Sequence, residues 1–128
     1  MIQFNPLLIS ALSGFLAVAF GAFGSHALKE RLSPYHLSVW DTANQYHFYN
    51  TFTLLALALL ITKYPHINWL TRASGALIVG MILFSGSLYA LALTDIKILG
   101  AITPIGGVCI LIAWAMLAIS AVHIHSHI

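Results

Sequence analysis

Residues 73–94, ASGALIVGMILFSGSLYALALT, decide the fold class, because these 22 residues contain no Asp, Glu, Lys or Arg. A helix needs about 20 such residues to cross the hydrocarbon core of a membrane. Three further runs without a charged residue occupy residues 1–28, 42–62 and 98–128. The sequence therefore predicts an all-α integral membrane protein, a bundle of four transmembrane helices.

The composition supports a membrane location for the whole chain. Hydrophobic residues make up 60% of the 128 residues and charged residues only 6%, whereas about a quarter of the residues of a soluble domain are charged. Four spans leave no room for a separate soluble module, so we expect one membrane domain over residues 1–128. The expected spans are residues 6–26, 39–62, 73–93 and 100–122.

The few charged side chains indicate partners and orientation. A formal net charge of +2 is too small to favour nucleic acid, so we expect membrane lipids, a second copy of the chain or another membrane protein as partners. Loops one and three carry the cations Lys29, Arg31 and Lys97, and loop two carries Lys63 and Arg72 with no acidic residue. Cations favour the cytoplasmic side, but three cations against two is nearly a tie. Because the cations of loop two have no acidic neighbour, we expect loop two and both termini to be cytoplasmic.

Aromatic residues cluster at the expected membrane surfaces. Trp40, Tyr46 and Tyr49 come near one end of the second span, and Tyr64 and Trp69 near its other end. Because Trp and Tyr are enriched where membrane meets water, we expect these residues to form aromatic belts at the two surfaces.

Small residues recur along the first span at steps of three and four. They are Ser10, Gly14, Ala17, Gly21 and Gly24. This spacing places them on one helical stripe, and such stripes allow another helix to approach closely in a membrane. The stripe contacts either other helices of the same chain, which we favour, or a second copy of the chain.

The fourth span contains a proline that leaves two helix starts open. Either the helix begins at Pro104 with Thr103 as its cap, or it begins near Leu99 and Pro104 removes one internal hydrogen bond. The two glycines that follow permit either geometry. The packing residues expected in the second half of the chain are Gly86, Pro104, Gly106 and Gly107.

Polar residues of the second span are the best candidates for chemistry. They recur every three or four residues and so share one helical face. These residues are Asp41, Asn44, His47, Asn50 and Thr51. Polar groups at membrane depth usually face the bundle interior, where they bind a ligand or ion or hydrogen-bond to neighbouring helices. We favour hydrogen bonding between helices.

The sequence favours neither an enzyme nor a metal site. Three histidines, His26, His36 and His47, could share one membrane side, but no pair has the spacing of a helical metal site. Ser85 and Ser87 lie outside any Gly-x-Ser-x-Gly pattern. We therefore expect no catalytic residue, no metal and no cofactor.

Four ordered segments carry a resemblance to a known family. They are residues 21–28 (GAFGSHAL), 40–43 with 45–47 (WDTA and QYH), 84–89 (FSGSLY) and 102–107 (ITPIGG). Over nearly its whole length the chain resembles the bacterial inner-membrane family of YgdD and YwdK, related to animal transmembrane protein 256. The resemblance implies a multi-pass protein of the inner membrane without an assigned biochemical role or catalytic residue. The chain departs from the family pattern at Ser25, where alanine is usual, and at Asn50, where histidine is frequent.

The same segments predict a polar cluster at one membrane face, because spans one and three end where spans two and four begin. The residues expected there are His26, Trp40, Asp41, Asn44, His47, Ser85, Tyr89 and Thr103. The function we favour is a structural or accessory membrane protein that binds another membrane component. The alternative is a small-molecule or ion binding or permeation protein, with the cluster at the mouth of its pathway.

Overall fold

Helices account for the regular structure of the chain. A computed structural model describes residues 3–126, and within that range it contains no strand. The elements are α1 (Pro6–Phe23) with a π-helical turn (Gly24–Leu28), α2 (Pro34–Lys63), α3 (Asn68–Met81), a second π-helical turn (Ile82–Gly86), α4 (Ser87–Thr94) and α5 (Leu99–Ser126). The segment from α3 to α4 is one continuous helix, which we call the α3–α4 rod. The all-α prediction is confirmed.

Three helical stretches are long and apolar enough to cross a membrane. They are Pro6–Leu28, Asn68–Thr94 and Leu99–Ser126. The remaining helix, α2, has 30 residues and is therefore about 45 Å long, but polar side chains occupy much of its first half. It is not among the three stretches that length and composition alone identify.

Local sequence signals fix the helix ends. Asn5 caps α1, since its side chain accepts a hydrogen bond from the amide of Leu8 at 3.0 Å. Ser33 caps α2 in the same way at 3.1 Å, and Pro34 suits the first helical position. The rod ends at Asp95, which adopts a left-handed conformation with φ of 56°. Because of the Ser33 cap, α2 starts at Pro34, and the expected span at residues 39–62 lies within this helix.

The helices run antiparallel to their neighbours in the chain. α2 lies between α1 and the α3–α4 rod, and α5 packs on the rod. Towards the loop between α2 and α3, leucines from both helices form a core in which Leu54, Leu70 and Leu77 are fully buried. A second core at the other end contains Trp40 and Tyr89.

The small-residue stripe of α1 faces α2 of the same chain, as the favoured interpretation predicts. A β-carbon at Gly14 would lie 3.6 Å from Cγ2 of Thr51, and one at Gly21 would lie 2.9 Å from Oδ1 of Asn44. Ala17 is fully buried. The stripe is therefore used within the chain.

The closest backbone approach joins the rod to α5. A β-carbon at Gly80 would lie 2.9 Å from the carbonyl oxygen of Gly106, and one at Gly106 would lie 2.8 Å from the carbonyl carbon of Leu83. Gly107 makes only an ordinary contact with the ring of Phe84. α5 starts at Leu99 and continues through Pro104, so the earlier of the two helix starts is correct.

Gly86 does not have the packing role expected for it. It is exposed, and a β-carbon there would have no neighbouring atom within 4 Å. The reason is that Gly86 lies one turn beyond Ile82, which is itself 63% exposed, so both positions belong to the outward face of the rod. Gly86 therefore opens onto free space beside the rod.

Candidate functional site

Polar side chains from three helices meet in the middle of the bundle, where α1, α2 and α4 come together. The central cluster, as we call this group, consists of Ser13, Asn44, His47, Thr51 and Tyr89. All are buried except Asn44, which is half-buried. Because hydrocarbon offers no hydrogen-bonding partner, these groups must satisfy one another within the protein.

The amide of Asn44 sets the direction of the hydrogen bonds. Its Nδ2 lies 2.8 Å from the carbonyl oxygen of Ala17 and 3.0 Å from the hydroxyl oxygen of Tyr89. Because a carbonyl oxygen can only accept, the nitrogen of the amide faces it and donates to both oxygens. We assign the hydrogen of the Tyr89 hydroxyl to its bond with Nδ1 of His47, at 2.9 Å, because this hydroxyl already accepts from the amide.

The remaining bonds follow in one direction. A neutral imidazole that accepts at Nδ1 carries its hydrogen on Nε2, and Nε2 of His47 lies 3.0 Å from Oγ of Ser13. The Ser13 hydroxyl then donates to Oγ1 of Thr51 at 2.7 Å, and the Thr51 hydroxyl donates to the backbone carbonyl of His47, also at 2.7 Å. With the hydrogens assigned in this way, every hydroxyl and ring hydrogen of the central cluster is used within the protein, and the cluster joins three helices.

Aromatic packing closes the cluster towards the loop between α1 and α2. Trp40 is only 3% exposed, and its indole nitrogen donates to the carbonyl oxygen of Phe20 at 3.0 Å. The indole lies against Gly24, and its ring centroid is 4.6 Å from that of Tyr89. Trp40 therefore packs inside the bundle and is not part of an aromatic belt, whereas Tyr46 is exposed.

The structure brings together some of the eight residues expected in the polar cluster. Those in mutual contact are Trp40, Asn44, His47 and Tyr89. Ser85 lies on the facing rod and donates to the carbonyl oxygen of Ala43 at 2.8 Å. Asp41 and His26 are exposed, and neither makes a side-chain hydrogen bond within residues 3–126. They lie outside the central cluster because their side chains point away from the neighbouring helices.

Two hydroxyl groups were missed by the sequence analysis. Ser13 belongs to the central cluster. Its burial could have been predicted, because Ser10, Ser13 and Ala17 follow one another at steps of three and four, the spacing of one helical face. Ser87 pairs with Thr103 at 2.6 Å. Thr103 therefore links the rod to α5 and takes no part in the central cluster.

Asn50 is the other notable polar residue of α2. It is 3% exposed, and its amide nitrogen is the one buried side-chain nitrogen or oxygen left without a hydrogen-bond partner within the described part of the chain. In the same part of the chain, no group of three or more His, Cys, Asp or Glu side chains is placed to hold a metal ion.

A groove runs along the molecule between α1 and the α3–α4 rod, and we call it the lateral groove. It has a narrow lobe of about 330 Å³ and a wide lobe of about 680 Å³, sizes typical of small-molecule sites. Ser13, His47, Ser85 and Tyr89 lie along the narrow lobe. Both lobes border Gly86 and Tyr89, so they adjoin each other there.

Apolar side chains form the walls of the lateral groove. Those of the narrow lobe are Ile9, Leu12, Leu16, Ile78, Met81 and Ile82. Those of the wide lobe include Ala19, Phe20, Phe23, Trp40, Ala90 and Leu93. The backbone of α1 packs mainly on α2, and α1 reaches the rod only through side chains such as Phe20, whose ring lies edge-on to that of Tyr89 at 5.1 Å between centroids.

Comparisons with known proteins agree with the resemblance seen in the sequence. The family described as "Protein of unknown function (DUF423)" matches residues 20–107. The UPF0382 membrane protein YwdK of Bacillus subtilis is 44% identical over 116 residues, which cover 91% of this chain and 94% of the relative. The UPF0382 membrane protein SSP2132 of Staphylococcus saprophyticus is 46% identical over 114 residues, covering 88% of this chain and 92% of the relative. No solved structure is significantly similar.

Proposed function

This chain belongs to the DUF423 family of proteins of unknown function, and we propose that it is a non-catalytic accessory protein of the bacterial cell membrane. Its relatives are named membrane proteins. In our proposal it crosses the membrane four times and binds another membrane component in the lateral groove. The observation that carries the proposal is the pair of adjoining apolar cavities between α1 and the α3–α4 rod, two helical stretches that are apolar enough to span.

The position of α2 supports a fourth span. Along α1 its contacts run from Trp40 against Gly24 to Thr51 against Gly14, and along the rod it is bonded to Ser85 and Tyr89. A helix enclosed by two spans over this length lies at the same depth as they do. Its polar side chains are tolerated there because the neighbouring helices satisfy them.

Binding fits the geometry better than permeation does. A pathway for ions needs polar groups that are free to contact the ion, but the central cluster is satisfied internally. Asp41, which we expected at the mouth of such a pathway, is exposed and outside the cluster. The groove opens sideways towards the helix surroundings, so its occupant would enter from the membrane.

Cysteine labelling tests the fourth span and the orientation together. In a Cys109→Ser background, Lys29→Cys places a single thiol in the loop before α2, and Lys63→Cys places one at the last residue of α2. If the termini are cytoplasmic, a membrane-impermeant maleimide added to intact cells labels Lys29→Cys, and it labels Lys63→Cys only after the membrane is opened. The opposite pattern overturns the orientation, and equal labelling of both in intact cells overturns the fourth span.

Filling the lateral groove tests the binding function. Gly86→Leu places a side chain in the open space that both lobes share, and Gly75→Leu is the matched control because a β-carbon there also has nothing within 4 Å. Native mass spectrometry of purified protein should detect a retained membrane component on the native chain and on Gly75→Leu, and much less on Gly86→Leu. Equal retention by all three proteins, or none by the native chain, contradicts the proposal.

A further inference from the structure

We infer that the end of the bundle that holds the loop from α2 to α3 binds the head groups of anionic membrane lipids through Lys63 and Arg72. We call this end the loop-two face. It also contains the start of α1 and the end of α5, since Ile9 and Ile124 both pack against the core that includes Ile67, a residue of this loop. The inference rests on the membrane location of the protein and does not depend on binding in the lateral groove.

Charged side chains are divided unequally between the two ends of the bundle. All three acidic residues of the chain belong to the end opposite the loop-two face. They are Glu30, Asp41 and Asp95. Three cations balance them at that end, and they are Lys29, Arg31 and Lys97. The remaining two cations, Lys63 and Arg72, lie at the loop-two face, so the formal net charge of +2 belongs entirely to this face.

The two cations of the loop-two face are not neutralised by the protein itself. Both side chains are exposed, and neither makes an ion pair within residues 3–126. At the opposite end, by contrast, Oδ1 of Asp95 lies 2.9 Å from Nε2 of His36. A positive surface without internal counter-charges attracts anions from its surroundings. The partner of the loop-two face must therefore supply negative charge.

Two aromatic rings place the cations at the depth of the lipid phosphates. The guanidinium carbon of Arg72 lies 5.0 Å from the ring centroid of Trp69, and Nζ of Lys63 lies 5.4 Å from that of Tyr64. Each cation is attracted to the face of its ring. Trp and Tyr prefer the boundary between hydrocarbon and water, which is the level of the head groups. The two pairs therefore hold positive charge where phosphates of the bilayer lie.

The helix surface next to Arg72 favours a lipid over a soluble anion. Arg72 is in the second turn of α3 and begins the outward face of the α3–α4 rod, because Val79 and Ile82 follow it at steps of seven and three. Those two apolar side chains are 50% and 63% exposed. From Arg72 to Ile82 the helix rises about 15 Å, half the thickness of the hydrocarbon core. A lipid can use both the cation and this apolar surface, whereas a soluble anion can use only the cation.

Native mass spectrometry of the full chain tests the inference with phosphatidylglycerol and phosphatidylcholine of identical acyl chains. A Lys or Arg beside anionic lipid contributes about 1 kcal/mol, or roughly fivefold in affinity. The ratio of retained phosphatidylglycerol to phosphatidylcholine should therefore fall about 25-fold when Lys63→Gln and Arg72→Gln are combined. The matched control combines Lys29→Gln with Lys97→Gln at the opposite end, which removes the same charge and should leave the ratio unchanged. A charge-conserving pair, Lys63→Arg with Arg72→Lys, should also preserve it.

The other outcomes each overturn a defined part of the inference. A native chain without preference for phosphatidylglycerol overturns the binding, and an equal loss in the Lys29→Gln, Lys97→Gln variant overturns the site. Loss of the preference in the charge-conserving pair overturns recognition by charge. Displacement of the lipid by its soluble head group, glycerophosphoglycerol, at equal concentration overturns the choice of a lipid, as does an acidic protein retained in its place. Gly86→Leu should not change the ratio, so this inference and binding in the lateral groove can fail separately.

Discussion

The contact between α1 and α2 makes the sharpest prediction about stability, because one glycine faces one amide. A β-carbon at Gly21 would lie 2.9 Å from Oδ1 of Asn44, and the Asn44 amide cannot move away without losing its bonds to Ala17 and Tyr89. Gly21→Ala should therefore destabilise the native protein by about 1–3 kcal/mol, the usual penalty for overpacking. In the Asn44→Ala background the clashing atom is absent, so the same substitution should have little effect.

The two single substitutions are consequently expected to be strongly coupled. Asn44→Ala alone removes two hydrogen bonds between helices, worth about 0.6 kcal/mol each in membranes, and so costs roughly 1.2 kcal/mol. A double-mutant cycle should then give a coupling of about 1–3 kcal/mol between positions 21 and 44. The free energy of unfolding can be measured by circular dichroism during titration of mixed micelles with sodium dodecyl sulfate.

Gly14→Ala is the matched control for this cycle. It lies on the same stripe, but a β-carbon there would be 3.6 Å from Cγ2 of Thr51, an ordinary contact. It should be tolerated and should add to Asn44→Ala without coupling. Additive effects of Gly21→Ala and Asn44→Ala, or equal coupling at both glycines, would show that the Gly21–Asn44 contact does not limit the approach of α1 to α2.

Two further predictions concern α5 and the central cluster. Gly106→Ala should lower the free energy of unfolding by about 1–3 kcal/mol, because its β-carbon would meet backbone atoms of the rod; Gly107→Ala, facing only the Phe84 ring, should change it by less than about 0.5 kcal/mol in the same titration. Nitrogen-15 NMR of the histidines should find the imidazole hydrogen of His47 on Nε2, as the bond direction set by Asn44 requires, and a hydrogen on Nδ1 in the native protein would contradict the assigned chain of donors.

The sequence predicted those features that depend on regular helical spacing. The stripe containing Gly14 and Gly21 was placed correctly against another helix of the same chain, because steps of three and four keep residues on one face. The same rule placed Asn44 and His47 inside the bundle. Asp41 was wrongly placed because the buried face of α2 runs through Trp40, Ala43 and His47, and Asp41, one residue after Trp40, is turned about 100° away from it.

Other features depend on contacts that spacing does not encode. Trp40 resembles a residue of the membrane surface, but Gly24 leaves a space on α1 into which its indole fits, and only the pairing of the two helices reveals this. Gly86 was expected to pack because small residues usually do so in membranes. It lies one turn beyond the exposed Ile82, on the outward face of the rod, and the size of a residue alone does not show which face of a helix it occupies.

The stripe, the central cluster and the lateral groove have one common cause. In a membrane, the burial of apolar surface does not favour one neighbouring helix over another, so close packing and hydrogen bonds determine which helices pair. In this chain both kinds of contact join α1 to α2. Gly14 and Gly21 bring α1 close to α2, and Ser13 bonds to His47 and Thr51. With its backbone held against α2 in this way, α1 reaches the rod only through side chains such as Phe20 on Tyr89, and cavities remain between the two helices. Substitutions that loosen the stripe should therefore alter the groove as well, although the glycines do not line it.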